Sequence, residues 1–516
     1  MMSSISNLLH NSHTQDRGHG FGRFSRSRNS SPGPHGHADT ISAFKQVEEE
    51  TLPKYNANVF YPTRLDEVLN DRYQVVAKLG FGVTATVWLA RDLQAQKSGR
   101  KYVAIKININ TLSDDWIKGR RKVAECLATA NPNHPGYNHV RFMLDAFKLK
   151  GPHGQHLCVV YDVLREPIGV TMEKLPGHLF SSDSLRKLLP ALLQGLDYMH
   201  SECHIVHTDL KTDNIMMGLG DPTILDKVVQ DEAHHPSARK MPDSHGRIIY
   251  QSRHDFGAAP TDAVIASAKI TDIGLADWGD EHHNHAIQSN AFTAPEVILA
   301  ATWSYPADIW NLGVMLWDLF ENFGLFDAID TGPSRYHPTQ HLGLMIALMG
   351  PPPKELLERG STSATYFDEE GRFRHPKLIR EGFSFESSIT RFKGKDKELF
   401  IDFAKKMICW LPEERWTAKQ LLEHPWLKKR EVEDSENSIS GSGPDEDAKQ
   451  VMATPMATAN SVRSSTSTSI SARTSISTAS TTGTTGTTST TSTTSTAVET
   501  DPNAVSGNLI RAILDR

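Results

Sequence analysis

The sequence predicts an α+β protein of two lobes, a small antiparallel β lobe with one helix and a larger helical lobe. Three observations lead to this prediction. Between residues 73 and 163, short β-rich runs are separated by turns that contain glycine, a pattern typical of antiparallel strands. From residue 185 onward, longer apolar runs favour helices. Within the helical part, the polar octapeptide 207–214 lies between a predicted helix and a short predicted strand.

The first two strands predict a hairpin with glycines at its turn. Leu79-Gly80-Phe81-Gly82 ends the first strand, and Val87 lies in the second. Because glycine has no side chain, the backbone of such a turn can lie close over phosphate groups. An ordinary hairpin turn requires glycines too. Ala85 stands where phosphate-binding loops of this kind usually have a third glycine.

The next strand carries a single lysine. Residues 102–107 include Ala104 and Lys106, and Lys106 follows Gly82 by 24 residues. This spacing predicts that Lys106 holds the α- and β-phosphates of a nucleotide. Such a lysine normally pairs with a glutamate of the following helix. The helix predicted over about 115–128 offers Glu125 in one alignment, whereas another alignment places Arg120 there.

Two more strands are predicted at 142–147 and 156–163, around a Gly-Pro-His-Gly turn. The second strand runs into Tyr161-Asp162-Val163-Leu164, which we interpret as the hinge between the lobes. Backbone groups from Asp162 to Leu164 would then bond an adenine base. Tyr161 would close the back of that pocket.

The octapeptide His207-Thr208-Asp209-Leu210-Lys211-Thr212-Asp213-Asn214 combines an acid, a cation and an amide in one loop. Asp209 is placed to accept the proton of a substrate hydroxyl. Lys211 would offset phosphate charge, and Asn214 would bind a metal ion.

A polar insertion is predicted at about 218–268, after this loop. It contains Asp255-Phe256-Gly257, which matches a known metal-binding tripeptide by letter but follows no strand pattern. Asp272, by contrast, lies in an alternating strand that reaches a glycine, and it precedes Glu296 of the segment Ala294-Pro295-Glu296 by 24 residues. We therefore assign the metal-binding role to Asp272. Further along, Glu296 has a predicted ion-pair partner in Arg415.

Together, residues 73–427 resemble the eukaryotic protein kinases, and more closely the SR-protein kinases, which phosphorylate serines in Arg/Ser-rich proteins. The resemblance rests on Thr208 in place of the usual arginine, on the glycine loop 80–82, on the lead-in 55–72 and on the segments 86–89 and 306–310. It implies a bilobal protein kinase fold, with lobes at 73–164 and 165–427, and a serine/threonine kinase that uses ATP and Mg²⁺. Asp209, Lys211 and Lys106 are the implied catalytic residues, and Asn214 and Asp272 the metal ligands. The implied nucleotide site comprises Leu79, Gly80, Phe81, Gly82, Val87, Ala104, Lys106, Tyr161, Asp162, Leu164, Asn214 and Asp272.

Two departures bear on activity and substrate. Thr208 cannot pair with an activation-loop phosphate as an arginine does, so the sequence predicts activity without that phosphate. Where SR-protein kinases carry Arg-Gln-Tyr-Arg-Ser, this chain has Asn290-Ala291-Phe292-Thr293-Ala294, which leaves an Arg/Ser-rich substrate open. The alternative function is a pseudokinase that serves as an ATP-binding or protein-interaction scaffold.

The ends of the chain differ in composition from its middle. Residues 1–40 form a Ser/Arg/His-rich arm and residues 428–516 a Ser/Thr-rich tail, both predicted to be disordered, and 41–72 form an extended lead-in. Four scattered cysteines, a net charge of -6 and the lack of a long apolar run predict a protein of the cytoplasm or nucleus. We also expect a monomer. The net charge and the lack of a long apolar run also predict no binding to nucleic acid or membrane. Protein substrates are what the resemblance to protein kinases implies.

Overall fold

A computed structural model describes residues 37–321, 323–326 and 336–428. The first 36 residues of the predicted arm, and the predicted tail from residue 429, lie outside the described residues. Among the helices of the described part, none has the length and apolar character needed to cross a membrane.

The amino-terminal part of the described chain is built on a six-stranded antiparallel sheet with strand order β2-β3-β4-β5-β7-β6. Three short two-stranded pairs complete the β structure: β1 with β10, β9 with β11 and β8 with β12. The strands are β1 Thr40–Ile41, β2 Val68–Leu69, β3 Tyr73–Gly82, β4 Ala85–Asp92, β5 Tyr102–Asn108, β6 Met143–Gly151, β7 Gly154–Tyr161, β8 Ile205–Val206, β9 Ile215–Met216, β10 Arg239–Lys240, β11 Lys269–Ile270 and β12 Asp277–Trp278.

Helices dominate the carboxy-terminal part of the described chain. They are α1 Ala95–Ser98, α2 Asp114–Thr129, α3 Ile168–Met172, α4 Ser182–Asp197, α5 Ile224–His234, α6 Asp262–Ile265, α7 Pro295–Ile298, α8 Pro306–Phe320, α9 Pro338–Met349, α10 Lys354–Arg359, α11 Ser363–Tyr366, α12 Phe385–Ser388, α13 Gly394–Lys405, α14 Ala418–Leu422 and α15 Pro425–Lys428. The predicted antiparallel β lobe with one main helix, α2, and the larger helical lobe are thus confirmed.

Helix α8 is the centre of the helical lobe. Fourteen of its residues, from Ala307 to Phe320, are buried, as expected for a mainly apolar helix enclosed by others. Helix α4 packs beside it with one apolar face, and Ser181 caps its amino terminus by accepting the Ser184 amide N–H at 3.1 Å. Because α4 leads directly toward the 207–214 loop, this core holds the loop in place.

Lys78 ties the lead-in to the sheet. Its side chain is fully buried, lies 3.2 Å from a Glu48 oxygen and forms a shorter ion pair with Glu49. The next glutamate, Glu50, accepts from Lys240 of the insertion at 2.8 Å. The acidic triplet 48–50, which forms a 3₁₀ turn, therefore joins the lead-in to both the sheet and the insertion.

The insertion is folded and packs on the sheet. Leu225 and Val228 of α5, together with Phe256, form a buried cluster with sheet residues that include Ala77 and Ala104. Asp226 of the same helix accepts from the Tyr102 hydroxyl at 2.8 Å. The polar composition of the insertion does not indicate that it packs on the sheet, because only a few of its apolar residues make the contact.

Candidate functional site

The predicted phosphate-binding hairpin is present at the β3–β4 turn. Gly82 pairs with Ala85 across the hairpin. A Cβ atom added at Gly80 or Gly82 would meet no described atom within 4 Å, and neither glycine has a left-handed φ angle. These glycines are therefore not required by the turn's backbone conformation. They leave open space beside the backbone, where a ligand can approach.

Three residues of the predicted nucleotide site, Leu79, Val87 and Ala104, belong to one apolar cluster. Phe81, at the tip of the hairpin, is 37% exposed. The cluster also contains Val163 of the hinge segment, so the sheet and the hinge share one apolar surface.

Lys106 forms an ion pair with Asp272. Its Nζ atom lies 2.7 Å from Asp272 Oδ1. Burial alone would raise the pKa of Asp272, but the charge and the hydrogen bond of Lys106 outweigh it and lower that pKa to about 2. Burial alone would lower the pKa of Lys106, and the Asp272 carboxylate reverses this shift and raises it. Both groups are therefore charged at neutral pH.

The predicted pairing of Lys106 with Glu125 is wrong. Glu125 accepts instead from Arg121, one helical turn away, at 2.7 Å. Arg120, the residue of the second alignment, points inward and donates to the Ala276 carbonyl oxygen. A helix turns by about 100° per residue, so the register of α2 decides which side chain faces the site.

The 207–214 loop brings its three predicted side chains together. Lys211 Nζ lies 2.8 Å from Asp209 Oδ2. The Asn214 amide nitrogen donates to the Asp209 carbonyl oxygen at 2.8 Å and to Asp209 Oδ2 at 3.1 Å. Because the amide nitrogen of Asn214 is used in this way, its oxygen is the atom available to a metal ion.

Asp308 of α8 anchors the backbone of the 207–214 loop. Its carboxylate is fully buried and accepts the backbone N–H groups of His207 at 2.7 Å and Thr208 at 2.9 Å. Thr208 has a φ angle of 69°, which is unusual for a β-branched residue. Its hydroxyl donates to the Leu275 carbonyl oxygen at 2.8 Å. Thr208 thus links the loop to the segment that follows Asp272.

Thr271 places Asn214 and Asp272 side by side. Its backbone N–H donates to the Asn214 carbonyl oxygen at 2.8 Å, and its own carbonyl oxygen lies 2.9 Å from His207 Nε2. Strand β11, just before Thr271, pairs with β9, just after Asn214. The two predicted metal ligands therefore come from the adjoining ends of one strand pair.

The second Asp-Phe-Gly-like tripeptide lies elsewhere. Asp255 is exposed, lies 3.5 Å from Lys174, and is followed by Phe256 in the buried cluster of the insertion. The structure thus brings Asp272 to Lys106 and leaves Asp255 outside the site.

Arg141 is a site residue that the sequence analysis missed. Its Nη2 atom donates to the Asp162 carbonyl oxygen at 2.6 Å, and its guanidinium lies 4.7 Å from the ring centroid of Tyr161. The Asp162 carbonyl, predicted to bond adenine, thus already has a donor, although a carbonyl oxygen can accept two. Only the spatial proximity of β6 and the hinge reveals this contact.

The predicted ion pair between Glu296 and Arg415 is confirmed. Two guanidinium nitrogens of Arg415 each lie 2.7 Å from one oxygen of Glu296. Both side chains are buried, at 0% and 1% exposure. The pair joins α7 to the loop that precedes α14.

Comparison with known proteins agrees with this fold and this set of side chains. The protein kinase domain family matches residues 73–240 and 258–427. A serine/threonine protein kinase of Aspergillus fumigatus is 37% identical over 383 residues, 74% of this chain and 91% of the relative. A serine/threonine-protein kinase SRPK of Physarum polycephalum is 28% identical, with the same two coverages. Human SRSF protein kinase 3 is 23% identical over 74% of this chain and 90% of its own length.

A crystal structure of a kinase domain superposes with a TM-score of 0.53 at 20% identity, covering 72% of this chain and all of that domain. The chain belongs to the protein kinase family. Within it, the chain is a serine/threonine protein kinase, and it is similar to kinases named SRPK and SRSF protein kinase 3.

Proposed function

We propose that this kinase transfers the γ-phosphate of Mg-ATP to serine in proteins, with Arg/Ser-rich proteins as the substrate class. The observation that carries the proposal is the convergence of Lys106 with Asp272 and of Asp209 with Lys211 and Asn214, with Thr271 joining the two groups. The names of the SRPK and SRSF relatives support the substrate class. The segment 290–294, which lacks the arginines of that family, argues for a broader preference.

The residues present suit ATP and Mg²⁺. Asp272 has a carboxylate oxygen beyond the one paired with Lys106, and Asn214 has its amide oxygen. Oxygen donors of this kind are the ligands that Mg²⁺ prefers. The open space at Gly80 and Gly82 suits a phosphate chain. Bound Mg-ATP supplies the transferable phosphoryl group.

In this proposal each side chain acts through position and charge. Asp209 accepts the proton of the substrate hydroxyl, and the hydrogen bonds from Asn214 and Lys211 orient its carboxylate. Lys211 offsets negative charge at the transferring group. Lys106, held by Asp272, fixes the phosphates from the opposite lobe.

Replacing Asp209 by Asn tests the proposal. The variant should lose phosphate transfer from labelled ATP by a factor on the order of 10²–10⁴, because a general base typically contributes that much. Transfer should be measured to an Arg/Ser-repeat peptide and to a generic basic protein. Asp213→Asn, an exposed acid of the same loop, is the matched control and should keep wild-type activity. Equal phosphate transfer by wild type and Asp209→Asn would contradict the proposal that this protein is an active kinase. Transfer to the generic basic protein alone would contradict the proposed Arg/Ser-rich substrate class.

Activity should not depend on activation-loop phosphorylation. Thr208 fills the position from which an arginine pairs with the loop phosphate in other kinases, and it bonds the Leu275 carbonyl instead. Phosphatase treatment of the purified protein, checked by mass spectrometry, should leave its rate unchanged. A loss of activity that autophosphorylation restores would contradict this expectation.

A pseudokinase scaffold is the second candidate. Glu125 pairs with Arg121 and not with Lys106 among the described contacts, and Arg141 already donates to the Asp162 carbonyl oxygen. Under this alternative the purified protein binds ATP, as measured by calorimetry, and transfers no phosphate.

A further inference from the structure

The segment after the metal-binding loop gathers one acid and two histidines that the kinase reaction does not use. Asp277 begins β12 and pairs with Val206 of β8, whereas His283 forms a bridge with Trp303. His285 follows two residues later. One carboxylate oxygen of Asp277 and one ring nitrogen from each histidine all lie within 4.8 Å of one another.

His283 is oriented as a metal ligand would be. Its Nε2 atom lies 2.6 Å from the Trp278 carbonyl oxygen. A carbonyl only accepts hydrogen bonds, so Nε2 carries the hydrogen and Nδ1 is left as the ligand atom. A second-nitrogen bond of this kind to a carbonyl is usual for histidines that bind metals. The ring is 7% exposed and stacks on Trp303 with centroids 4.4 Å apart.

His285 completes the arrangement from the solvent side. Its backbone is held because its carbonyl oxygen accepts from Trp303 Nε1 at 2.8 Å. Its ring is exposed and lies 5.5 Å from the His283 ring, between centroids. Ligands of a tetrahedral Zn²⁺ lie about 3.3 Å apart, given bonds of about 2.0–2.2 Å. The three ligand atoms, which lie within 4.8 Å of one another, would have to move closer together on metal binding, and the ring of His285 is exposed.

Asp277 would contribute the charge. One of its oxygens accepts the Trp278 backbone N–H at 3.0 Å, which leaves the other for a cation. The charge of Asp277 also acts on the guanidinium of Arg120, which is itself bonded to the Ala276 carbonyl. A cation at this site would therefore share Asp277 with Arg120.

We propose that Asp277, His283 and His285 form a transition-metal site, suited to Zn²⁺, with water as the fourth ligand. Two imidazoles and one carboxylate favour Zn²⁺ over Mg²⁺, which prefers oxygen donors. The site would join β12 to the segment around His283, which packs on Trp303. Strand β12 in turn pairs with β8, the strand before the 207–214 loop. The metal would thereby order this segment without a phosphate. The proposal does not depend on the substrate or on the transfer reaction.

Co²⁺ titration of the metal-free, full-length protein tests the site through the visible d–d absorption of Co²⁺ in a tetrahedral site, with Zn²⁺ used to displace it. The variants are His285→Ala, which removes an exposed ligand, and His283→Phe, which keeps an aromatic ring against Trp303. His282→Ala, an exposed neighbour outside the cluster, is the matched control. Histidines elsewhere, including those before residue 40, remain in every protein and provide a common background.

Wild type and His282→Ala should bind one more equivalent of Co²⁺ than either ligand variant. Zn²⁺ binding at the cluster should weaken by at least about 100-fold on loss of a ligand, since loss of even an outer-shell partner typically costs 10- to 100-fold. Zn²⁺ should also raise the unfolding temperature of wild type and not of His285→Ala. The proposal is overturned if His285→Ala and His283→Phe bind Co²⁺ with the stoichiometry and spectrum of wild type, or if wild type shows only background binding.

Discussion

Asp272→Asn is expected to lower the rate of phosphate transfer by a factor on the order of 10² to 10³ or more, the cost of removing one well-placed electrostatic group. The substitution keeps the size of the side chain and removes its charge. That charge is fully developed at neutral pH, because the ion pair with Lys106 lowers the pKa of Asp272 to about 2. The variant would lose both the partner of Lys106 and an oxygen donor for Mg²⁺.

Asp255→Asn is the matched control, since it makes the same chemical change in the competing tripeptide. Asp255 is exposed and is paired only with Lys174, at 3.5 Å, among the described ion pairs. This variant should keep the wild-type rate, measured with labelled ATP under identical conditions. If Asp255→Asn were inactive and Asp272→Asn active, the assignment of the metal ligand would have to be reversed.

Arg415→Met is expected to reduce the free energy of unfolding by about 3–5 kcal/mol, the usual cost of removing one partner of a buried ion pair. The loss follows from Glu296, which would stay buried at 1% exposure without its two hydrogen bonds of 2.7 Å. Arg415 also lies 5.0 Å from the Trp310 ring centroid and donates to the Pro306 carbonyl oxygen at 3.0 Å. Methionine replaces only the apolar part of these contacts.

Urea unfolding, followed by tryptophan fluorescence, measures this effect. Arg359→Met is the control, because Arg359 pairs with Glu355 and Glu413 at the surface, where solvent screens ion pairs strongly. It should unfold close to the wild-type midpoint. Adding Glu296→Gln to Arg415→Met should recover part of the lost stability, since the unpaired buried charge is then gone. If Arg415→Met and Arg359→Met lowered the free energy of unfolding equally, burial of the Glu296–Arg415 ion pair would not explain the effect.

Local sequence patterns were sufficient for much of the site. Lys106 lies in a segment whose residue pattern predicts a strand. Asp209, Lys211 and Asn214 lie within six residues of one another. Residues so close in sequence have few ways to be arranged once the flanking helix and strand are known. The choice of Asp272 over Asp255 likewise followed from the strand pattern before it.

Which residues contact these side chains could not be predicted from local sequence patterns. Whether Glu125 or Arg120 faces Lys106 depends on the rotation of α2, and the letters of α2 admit both alignments. Arg141 reaches the hinge carbonyl only because β6 lies beside β7 in the sheet. The insertion has a polar composition, yet Phe256 and two residues of α5 are buried against the sheet.

The sequence by itself thus determined the class of protein and the order of its elements, and it predicted the side chains of the proposed transfer site, because each depends on short-range spacing and local periodicity. The tertiary structure decided which charges meet: Asp272 with Lys106, Arg120 with the Ala276 carbonyl, and Asp277 with two histidines. Such contacts join residues far apart in the chain or depend on a helix's rotation. Their energies depend on burial and on distances of a few ångströms, which packing of the whole chain sets.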